Sequence, residues 1–326
     1  MELVTLGEAM VRLTPPGFAR LEQARSLDVT VGGAELNVAV AAARLGVASS
    51  WISALPDNAL GRMIAGRARE GGVDVSRVAW SPSDRAGLYF VERGAAPRGG
   101  SVLYDRASSA ASRLAPKTIA WDAIFAGARW FHTSGITPAL SDSAAATVVE
   151  ALAAAKAAGL TVSYDLNFRG KLWSPEKARA VQEPLMRHVD VLIASAETAR
   201  LVFGIGDAQQ LQQTFGVAAV ATTMRESSRA WQSTLSGMVA AGGAVHRAPT
   251  YDVEIVDEIG SGDAFVAGLI FGRLRHDSWE TAVRYGAALA ALKCTVPGDM
   301  SQATLADVDA LLAQYKEGGA TMRVSR

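Results

Sequence analysis

Cysteine and histidine are scarce in this chain. Cys294 is the only cysteine, which excludes an internal disulfide and a metal site built from several cysteines. The four histidines are scattered and show neither HExxH nor another ligand spacing: His132, His188, His246 and His276. The sequence therefore offers no set of side chains that would bind a metal directly.

The chain also lacks a net charge and long apolar runs. Lysine plus arginine and aspartate plus glutamate both number 32, so no overall field attracts nucleic acid or an anionic membrane. Charges interrupt the alanine-rich runs before they reach membrane-spanning length. The first residues do not show a basic region followed by an apolar run. We therefore expect a cytoplasmic protein without nucleic-acid or membrane partners, in which local arginines and backbone N–H groups meet any anionic ligand.

What is present is a strong α/β pattern. With 326 residues and 49% hydrophobic content, the chain can bury a large core, as one α/β domain or a domain with an insertion. From about Arg129 onward, short apolar runs alternate with helical patterns, which predicts a mainly parallel sheet covered by helices on both faces. The predicted elements are Trp130–His132, Ser143–Ala158, Leu160–Tyr164, Glu176–Arg187, Val189–Ala194 and Val217–Thr222. Ligands bind at the carboxyl ends of such strands, where Asp165, Asn167 and Arg169 lie.

Two segments break this alternation. Residues 10–31 and 87–106 contain short alternating strands, and residues 93–100 between two of them are rich in glycine, alanine, proline and arginine, as in a hairpin. We expect a small β-layer inserted beside a main domain that spans residues 1–326, in the position of a lid. The tail after Lys316 is polar and rich in small residues, which predicts a frayed end.

The segment from Asp257 to Phe265, DEIGSGDAF, places two glycines and a carboxylate at the start of a helix predicted over Ala264–Arg275. Glycines allow backbone N–H groups to form a concave nest, and a helix N-terminus adds partial positive charge, so the segment attracts anions. A carboxylate beside an anion site is useful if it takes a proton from an alcohol that attacks a bound phosphorus. A simple helix cap by Asp263 is the alternative.

A second glycine-rich segment, GGAELN, precedes a helical run over Val38–Leu45. Its glycine pair permits close approach of a ligand to the backbone, and Asn37 falls in the first helical turn. A loop-to-helix junction in which the glycines serve only the turn is the alternative. The segment is not the GxGxxG fingerprint of dinucleotide-binding proteins, which excludes a nicotinamide dehydrogenase in practice.

Together, GGAELNVAVAAARLG (residues 32–46) and DEIGSGDAFVAGL (residues 257–269) resemble the two signatures of the ribokinase-like, or PfkB, carbohydrate kinases. The resemblance covers essentially the whole chain, including the lid insertion, and implies a ribokinase-like α/β fold. Four further segments resemble 2-keto-3-deoxygluconate kinases within that family: YDRASSA (104–110), DLNFR with LW (165–169, 172–173), TMRES (223–227) and LKCTVPGD (292–299).

By this resemblance, Asp263 aligns with the base that deprotonates the sugar hydroxyl. The backbone N–H groups of Gly260, Ser261 and Gly262 align with the anion hole for the transferred phosphoryl group. Phosphoryl transfer needs charge neutralisation and in-line positioning more than covalent chemistry, which agrees with this set. At a helix N-terminus, Asp263 is expected to be a weak base in the ground state.

The resemblance also implies a substrate and a cofactor. A sugar acid needs an arginine for its carboxylate and polar tips for its hydroxyls. The matching positions are Gly33, Asn37, Tyr89, Tyr104, Arg106 and Arg169. On the nucleotide side, Asn167, Thr223, Arg225, Gly260 and Gly262 are expected to face ATP, which Mg²⁺ accompanies. The alternatives are a solvated surface position for each arginine and ordinary sheet packing for each tyrosine.

Three positions depart from the family pattern. Ser195 and Thr198 stand where many members have an Asn-x-x-Glu motif that organises magnesium through water, and Glu197 is one residue away. One residue along a helix rotates a side chain by about 100°, so replacement by Glu197 is not assured. Ser261 stands where alanine or glycine is common, and Glu258 replaces threonine or arginine, adding negative charge near a phosphate site.

The sequence therefore predicts a kinase that transfers the γ-phosphoryl group of ATP to the primary hydroxyl of 2-keto-3-deoxygluconate, with a lid that closes on the sugar. Exposed edges and tyrosines on that lid predict a homodimer formed through it. Two alternatives stay open. One is another sugar kinase of this family, of ribokinase or fructokinase type, whose neutral substrates need no arginine pair. The other is a catalytically impaired sugar-acid binding protein, suggested by Ser195 and Thr198.

Overall fold

The computed structural model describes residues 1–229 and 231–316, so the tail after Lys316 lies outside the described residues. Its β-strands, in chain order, are β1 Leu3–Leu6, β2 Met10–Thr14, β3 Asp28–Gly32, β4 Ser49–Ile52, β5 Ala54–Pro56, β6 Ala79–Ser81, β7 Gly87–Glu92, β8 Ser101–Asp105, β9 Trp130–Ser134, β10 Thr161–Asp165, β11 Val191–Ile193, β12 Ala219–Arg229, β13 Gln232–Ala241, β14 Ala244–Arg247 and β15 Tyr251–Glu254.

The α-helices, in chain order, are α1 Ala34–Arg44, α2 Ala59–Glu70, α3 Trp121–Phe125, α4 Ile136–Ala139, α5 Asp142–Ala157, α6 Pro175–Gln182, α7 Ala196–Phe203, α8 Ala208–Phe215, α9 Ser261–His276, α10 Trp279–Cys294 and α11 Leu305–Lys316. Short 3₁₀ helices cover Leu21–Gln23, Ala111–Arg113 and Glu183–His188. Among the described helices, none is both long and apolar enough to cross a bilayer.

Within the described residues, the main sheet has nine strands, in the order β14-β13-β12-β11-β10-β9-β1-β4, with β15 paired to β13. The pairs from β12 to β4 are parallel, while β13 pairs antiparallel with β12, β14 and β15. Strands β1 and β4 are buried along their whole length, as expected of parallel strands covered on both faces. The predicted ribokinase-like, mainly parallel α/β fold is confirmed.

Two large apolar clusters hold the layers together. One packs α1, α9 and α10 onto one face of the sheet, around Phe265, Leu269 and Leu289. The other packs α5 to α8 onto the opposite face, around Phe131 and Tyr164. Because α9 is buried over most of its length between α1, α10 and the sheet, its N-terminus has a fixed position.

Local chemistry explains most element boundaries. Serine side chains cap α5 through Ser141, α6 through Ser174 and α10 through Ser278, each accepting a hydrogen bond from a first-turn N–H group. The single helix predicted over residues 176–187 is wrong in its second half, which is a 3₁₀ helix. The reason is Pro184, which has no N–H group to continue the α-helical hydrogen bonds.

A separate four-stranded sheet, in the order β3-β2-β7-β8, is formed by the segments expected to make the inserted β-layer. Strands β7 and β8 form an antiparallel hairpin, and β2 pairs parallel with β7. We call this sheet the small sheet. A third apolar cluster joins it to α1 and α2 through Val11, Val31 and Leu36, so one face of the small sheet is anchored to the main domain.

Candidate active site

A cleft of about 380 Å³ lies between the N-termini of α1 and α9, the carboxyl end of β10 and the small sheet. Most of the predicted site residues line it: Gly33, Asn37, Tyr89, Tyr104, Arg106, Asn167, Arg169, Arg225, Gly260, Gly262 and Asp263. Thr223 and Ser261 are not among its lining residues. Side chains separated by more than two hundred residues in the sequence thus converge on a single cavity.

Asp263 is the third residue of α9 and lies half-buried at the cleft. The Asn37 amide donates a hydrogen bond of 2.7 Å from Nδ2 to Asp263 Oδ2. At its other end, Asn37 Oδ1 accepts from the Gly33 N–H at 3.4 Å. Asn37 was predicted to contact the sugar, and in the structure it also fixes the orientation of the carboxylate.

Burial raises the pKa of Asp263 to about 7, while the Asn37 hydrogen bond and the charge of Arg169 oppose the shift and nearby Asp165 adds to it. The same cause raises the pKa of Asp165 to about 6. The expectation of a weak base, drawn from the helix N-terminus, is therefore wrong. Loss of hydration is the largest cause of the raised pKa. A carboxylate with this pKa is a competent proton acceptor near neutral pH.

The loop that enters α9 is held in an unusual backbone conformation. Gly260 has φ of 87°, and a Cβ atom at this position would lie 1.9 Å from the Asp299 carbonyl oxygen. Only glycine permits both features. The Ser261 N–H, predicted to belong to the anion hole, instead donates to the Glu258 carbonyl at 3.2 Å. The N–H groups of Gly260, Gly262 and Asp263 have no backbone partner among the described residues and are left for an anion.

The Ser261 hydroxyl, one of the departures from the family pattern, interacts with the buried Cys294 thiol. Burial raises the pKa of that thiol. The Ser261 side chain therefore packs behind the loop, where a serine is accommodated without entering the cleft.

Arg106 follows β8 and is held in a buried ion pair. Its Nε donates to Glu8 Oε2 at 2.8 Å, its terminal nitrogen bonds the same oxygen, and the Ser109 hydroxyl donates to Glu8 Oε1. Arg106 is 9% exposed and the Glu8 side chain 1%. The guanidinium also lies 5.6 Å from the centre of the Tyr104 ring. Arg106 is thus a rigid group of the cleft, and a solvated surface position is excluded.

The two predicted tyrosines differ in their surroundings. Tyr89 is buried, and its hydroxyl donates to Asp299 Oδ2 at 2.6 Å. Tyr104 is 36% exposed, and its ring stacks on that of Tyr89 with centroids 5.9 Å apart. The Tyr89 hydroxyl is thus engaged by a carboxylate, and Tyr104 presents the accessible hydroxyl of the pair.

Arg169 lies beyond the end of β10 and is exposed. Within the described residues, no hydrogen bond or ion pair engages its guanidinium, although its charge acts on both Asp165 and Asp263. Lys171 is close by and donates to the Val102 carbonyl of β8 at 2.7 Å. A second cavity lined by Arg106, Arg169 and Lys171 adjoins the cleft. Three cations thus border this end of the site.

On the side of the cleft that the resemblance predicts to face ATP, Arg225 pairs with Glu258, with 2.5 Å between Nη1 and Oε2. Both side chains are partly exposed and line the cleft. This pair gives Glu258, an unexplained acid in the sequence, a local partner. Asn167 has φ of 33°, a left-handed conformation, and its N–H donates to Asp165 Oδ1 at 3.0 Å.

The positions that depart from the Asn-x-x-Glu motif have a structural role. Ser195 caps α7: its Oγ accepts from the Thr198 N–H at 3.1 Å and donates to Thr198 Oγ1 at 2.9 Å. Glu197 is exposed in the first turn of that helix. In the part of the chain that the structure describes, no three His, Cys, Asp or Glu side chains form a metal-binding group.

Sequence reasoning missed several cleft residues, above all Glu8 and Asp299. Glu8 comes two residues after β1, at the carboxyl edge of the parallel sheet, so the rule applied to Asp165 points to it as well. Asp299 lies in the loop after α10 and ends the LKCTVPGD segment, which the resemblance singled out without giving this residue a role. Its place in the cleft depends on tertiary contacts with β2 and β7.

A glycine-framed helix N-terminus, a proton-accepting carboxylate and a covering small sheet are the parts expected of a ribokinase-like kinase. The model of the pfkB family carbohydrate kinases matches residues 1–305. The chain belongs to this family. It is 43% identical over 316 residues to a 2-dehydro-3-deoxygalactonokinase of Haloferax volcanii, covering 95% of this chain and 96% of that protein.

Two further relatives in the PfkB family carry the same kind of name. A 2-dehydro-3-deoxygluconokinase of Bacillus subtilis is 30% identical over 305 residues, covering 92% of this chain and 91% of its own. The crystal structure of a 2-dehydro-3-deoxygluconokinase from Thermotoga maritima matches with a TM-score of 0.93 and 39% identity, covering 96% of this chain and 99% of that one. This chain is therefore a full-length match to sugar-acid kinases of the family.

Proposed function

We propose that this kinase phosphorylates a 2-keto-3-deoxy sugar acid, 2-keto-3-deoxygluconate or its galactonate epimer, at the primary hydroxyl with ATP. The observation that carries the proposal is the combination, in one cleft and its adjoining cavity, of Asp263 at the start of α9 with the cations Arg106, Arg169 and Lys171. Names of relatives at 43%, 30% and 39% identity support the same substrate class.

In the proposed reaction, the substrate hydroxyl lies against Asp263 and its oxygen attacks the γ-phosphorus of ATP. The O–H proton passes to the Asp263 carboxylate, an O–P bond forms, and the bond to the ADP oxygen breaks. The N–H groups of Gly262 and Asp263 bind the transferred phosphoryl group at the helix N-terminus. Asn37 keeps the accepting oxygen in place through its hydrogen bond of 2.7 Å.

Family members use ATP with Mg²⁺. The cleft suits this ion, because Asp165 lines it and offers carboxylate oxygens, the type of ligand that Mg²⁺ takes. Mg²⁺ takes oxygen ligands and draws most of them from phosphates and water, so a cluster of three protein carboxylates is not required. We assign Asp165 as the residue that would hold it. When bound, the ion supplies charge neutralisation for the phosphates.

The two arginines have different roles in the proposed site for the substrate carboxylate. Arg106, fixed by Glu8, provides a preoriented guanidinium edge, while exposed Arg169 is able to move onto the ligand. A guanidinium binds a carboxylate with two parallel hydrogen bonds. The charge of Arg106 is already balanced by Glu8, but a neutral ribose or fructose offers no ionic partner to Arg169, which favours a sugar acid over the ribokinase or fructokinase alternative.

The test is a coupled ADP-release assay with ATP and Mg²⁺ on both ketodeoxy epimers, ribose and fructose, run beside Asp263→Asn. Turnover on a ketodeoxy acid, lowered by about 10³-fold or more in the variant, supports the proposal. Ribose or fructose turnover that survives Arg106→Ala would instead assign a neutral sugar. Sugar-acid binding without turnover would assign a binding protein.

We also propose that the small sheet is a lid that closes on the sugar and excludes water. Strands β7 and β8 carry Tyr89 and Tyr104 over the cleft, and Lys171 ties β8 to the loop after β10. Closure limits ATP hydrolysis in the absence of sugar. Equal ATPase rates with and without the sugar acid would contradict the lid.

A dimer through the small sheet and a cytoplasmic location complete the proposal. The outer face of this sheet exposes Val29 and Leu103, which lie on its two edge strands. Exposed apolar groups on unpaired edges favour association. Light scattering is expected to give twice the chain mass for the wild type and the chain mass for Leu103→Asp. A monomeric mass for the wild type at assay concentration would contradict the proposed dimer.

A further inference from the structure

Behind the anion-binding loop lies a buried cluster of four charges that the proposed reaction does not use directly. Arg12 of β2 donates from Nη2 to Asp257 Oδ2 and from Nη1 to Asp299 Oδ1, each at 2.6 Å. Lys293 of α10 is fully buried and donates from Nζ to the Asp257 carbonyl oxygen at 2.8 Å. Two buried cations thus face two carboxylates at the base of the loop from Asp257 to Gly260, and the partly exposed Arg93 lies at the edge of the cluster, 3.9 Å from Nη2 to Asp257 Oδ2.

Asp257 is the centre of this cluster and fixes the loop. Its Oδ1 accepts from the Ile259 N–H at 3.2 Å, its Oδ2 also accepts from the Gly298 N–H at 3.1 Å, and its own N–H donates to the Cys294 carbonyl at 3.1 Å. The chain then turns at Gly260 into α9. The position of the phosphoryl-binding N–H groups therefore depends on how Asp257 is held.

We propose that Lys293 is a positioning residue for phosphoryl transfer: its ammonium group is a built-in cation that holds the anion-binding loop and balances the buried carboxylates behind it. The inference rests on the family's phosphoryl transfer and adds a residue that the proposed mechanism leaves out. Without the ammonium, the buried charge that faces Asp257 and Asp299 comes from Arg12 alone, since Arg93, whose Nη2 lies 3.9 Å from Asp257 Oδ2, is partly exposed to water. The negative charge behind the phosphoryl site is then less fully balanced.

The burial of Lys293 supports a role that requires charge. Burying an ammonium is unfavourable unless it is paired, and an apolar side chain of similar length would pack in the same space at lower free energy. Burial lowers the pKa of Lys293, and the charges of Asp257 and Asp299 oppose the lowering. These two carboxylates therefore favour the charged form of the amine.

The test compares Lys293→Met, which keeps the side-chain length without charge, with Lys293→Ala, which leaves a space for a small cation. We expect kcat to fall about 10- to 100-fold in both variants, while the KM for the sugar acid changes little. This fall in kcat is no larger than the one caused by removing a hydrogen-bond donor that contacts the oxyanion directly. Added NH₄Cl should restore kcat in the alanine variant only, and tetramethylammonium chloride at equal ionic strength should restore neither.

Lys177→Met is the matched control, because Lys177 is an exposed lysine on α6, away from the cleft. A methionine variant that folds and keeps the wild-type kcat would overturn the proposal, and this holds even if the alanine variant does not fold. Equal losses in every salt would assign a structural role only and overturn it as well. All values are taken relative to the wild type on one substrate, so a wild type without turnover refutes the proposed function instead.

Discussion

Two sides of the cleft hold their charged groups in different ways: the acceptor side, around Arg106 and proposed to bind the sugar acid, and the nucleotide side, around Arg225 and proposed to bind ATP. On the acceptor side, Arg106 is bound to Glu8 in a pair that is almost fully buried. On the nucleotide side, the Arg225–Glu258 pair is one-third to one-half exposed. Arg106 is therefore held in place by the fold before a ligand binds, whereas water has access to the Arg225–Glu258 pair.

This difference has an energetic basis. Removing one partner of a buried ion pair leaves an unpaired charge in a poorly hydrated site, which destabilises a protein by about 3–5 kcal/mol. An exposed pair contributes about 0–1 kcal/mol, because water and salt screen it. Mutations on the two sides should accordingly differ in both stability and kinetics.

The largest effect is expected on the acceptor side. Arg106→Ala should lower kcat/KM for the sugar acid by about 100-fold or more, because a carboxylate ligand loses its fixed partner, and should lower the free energy of unfolding by about 3–5 kcal/mol, because Glu8 is left unpaired. Steady-state kinetics and urea unfolding measure the two effects.

The double variant Glu8→Gln with Arg106→Met separates them. It removes both buried charges, so we expect stability to recover relative to Arg106→Ala while kcat/KM stays low. Recovery of activity together with stability would mean that Arg106 acts only through folding, and the assignment of the acceptor side as the carboxylate site would be wrong.

A second test uses the pH dependence of kcat/KM, which reports groups of the free enzyme. Asp263 must be ionised to accept the proton, and its pKa is about 7. We expect kcat/KM to rise with pH between about 6 and 8 and then to level off. An acid limb near the ordinary aspartate value of 3.8 would mean that Asp263 is hydrated and charged at neutral pH.

The sequence predicts features that depend on local pattern better than features that depend on contacts in the folded chain. The alternation of apolar runs predicted the parallel sheet, because strand and helix periods are local properties. Asp263, Asn37 and Arg106 stand in signature segments, so the family resemblance found them. Glu8 and Asp299 matter through contacts made in the folded chain, and the raised pKa of Asp263 depends on burial that no local pattern contains.

Smaller effects are expected on the nucleotide side. Arg225→Ala should raise the KM for ATP about 3- to 10-fold, since a cation near the phosphates is lost, and Glu258→Gln should lower it about 2- to 5-fold, since a repelling charge is lost. Both changes should shrink at high salt, and both variants should unfold like the wild type. A loss of stability as large as that of Arg106→Ala would erase the distinction between the two sides.

The smallest effect concerns how Asp263 makes the stability of the folded protein depend on pH. The pKa of Asp263 rises from the ordinary 3.8 to about 7 on folding, so the folded protein holds this proton more tightly than the unfolded chain. The contribution of protonated Asp263 to the free energy of unfolding is fully present below pH 3.8 and is lost as pH rises through about 7. Asp263→Asn, whose side chain cannot ionise, avoids that loss. Its Tm should exceed that of the wild type above pH 7 by a few degrees, with no difference near pH 4.

The position of Asp263 would then be a case in which catalysis requires a residue that the fold would be more stable without. Thermal unfolding of both proteins at pH 4, 6 and 8 measures the trend. Asn37→Ala provides the control, because it removes the hydrogen bond that favours the ionised Asp263 carboxylate. In the Asn37→Ala protein, the gain in Tm that Asp263→Asn produces at pH 8 should therefore be larger than in the wild type. A Tm difference that is equal at all three pH values would reflect packing of the new side chain and would contradict a raised pKa.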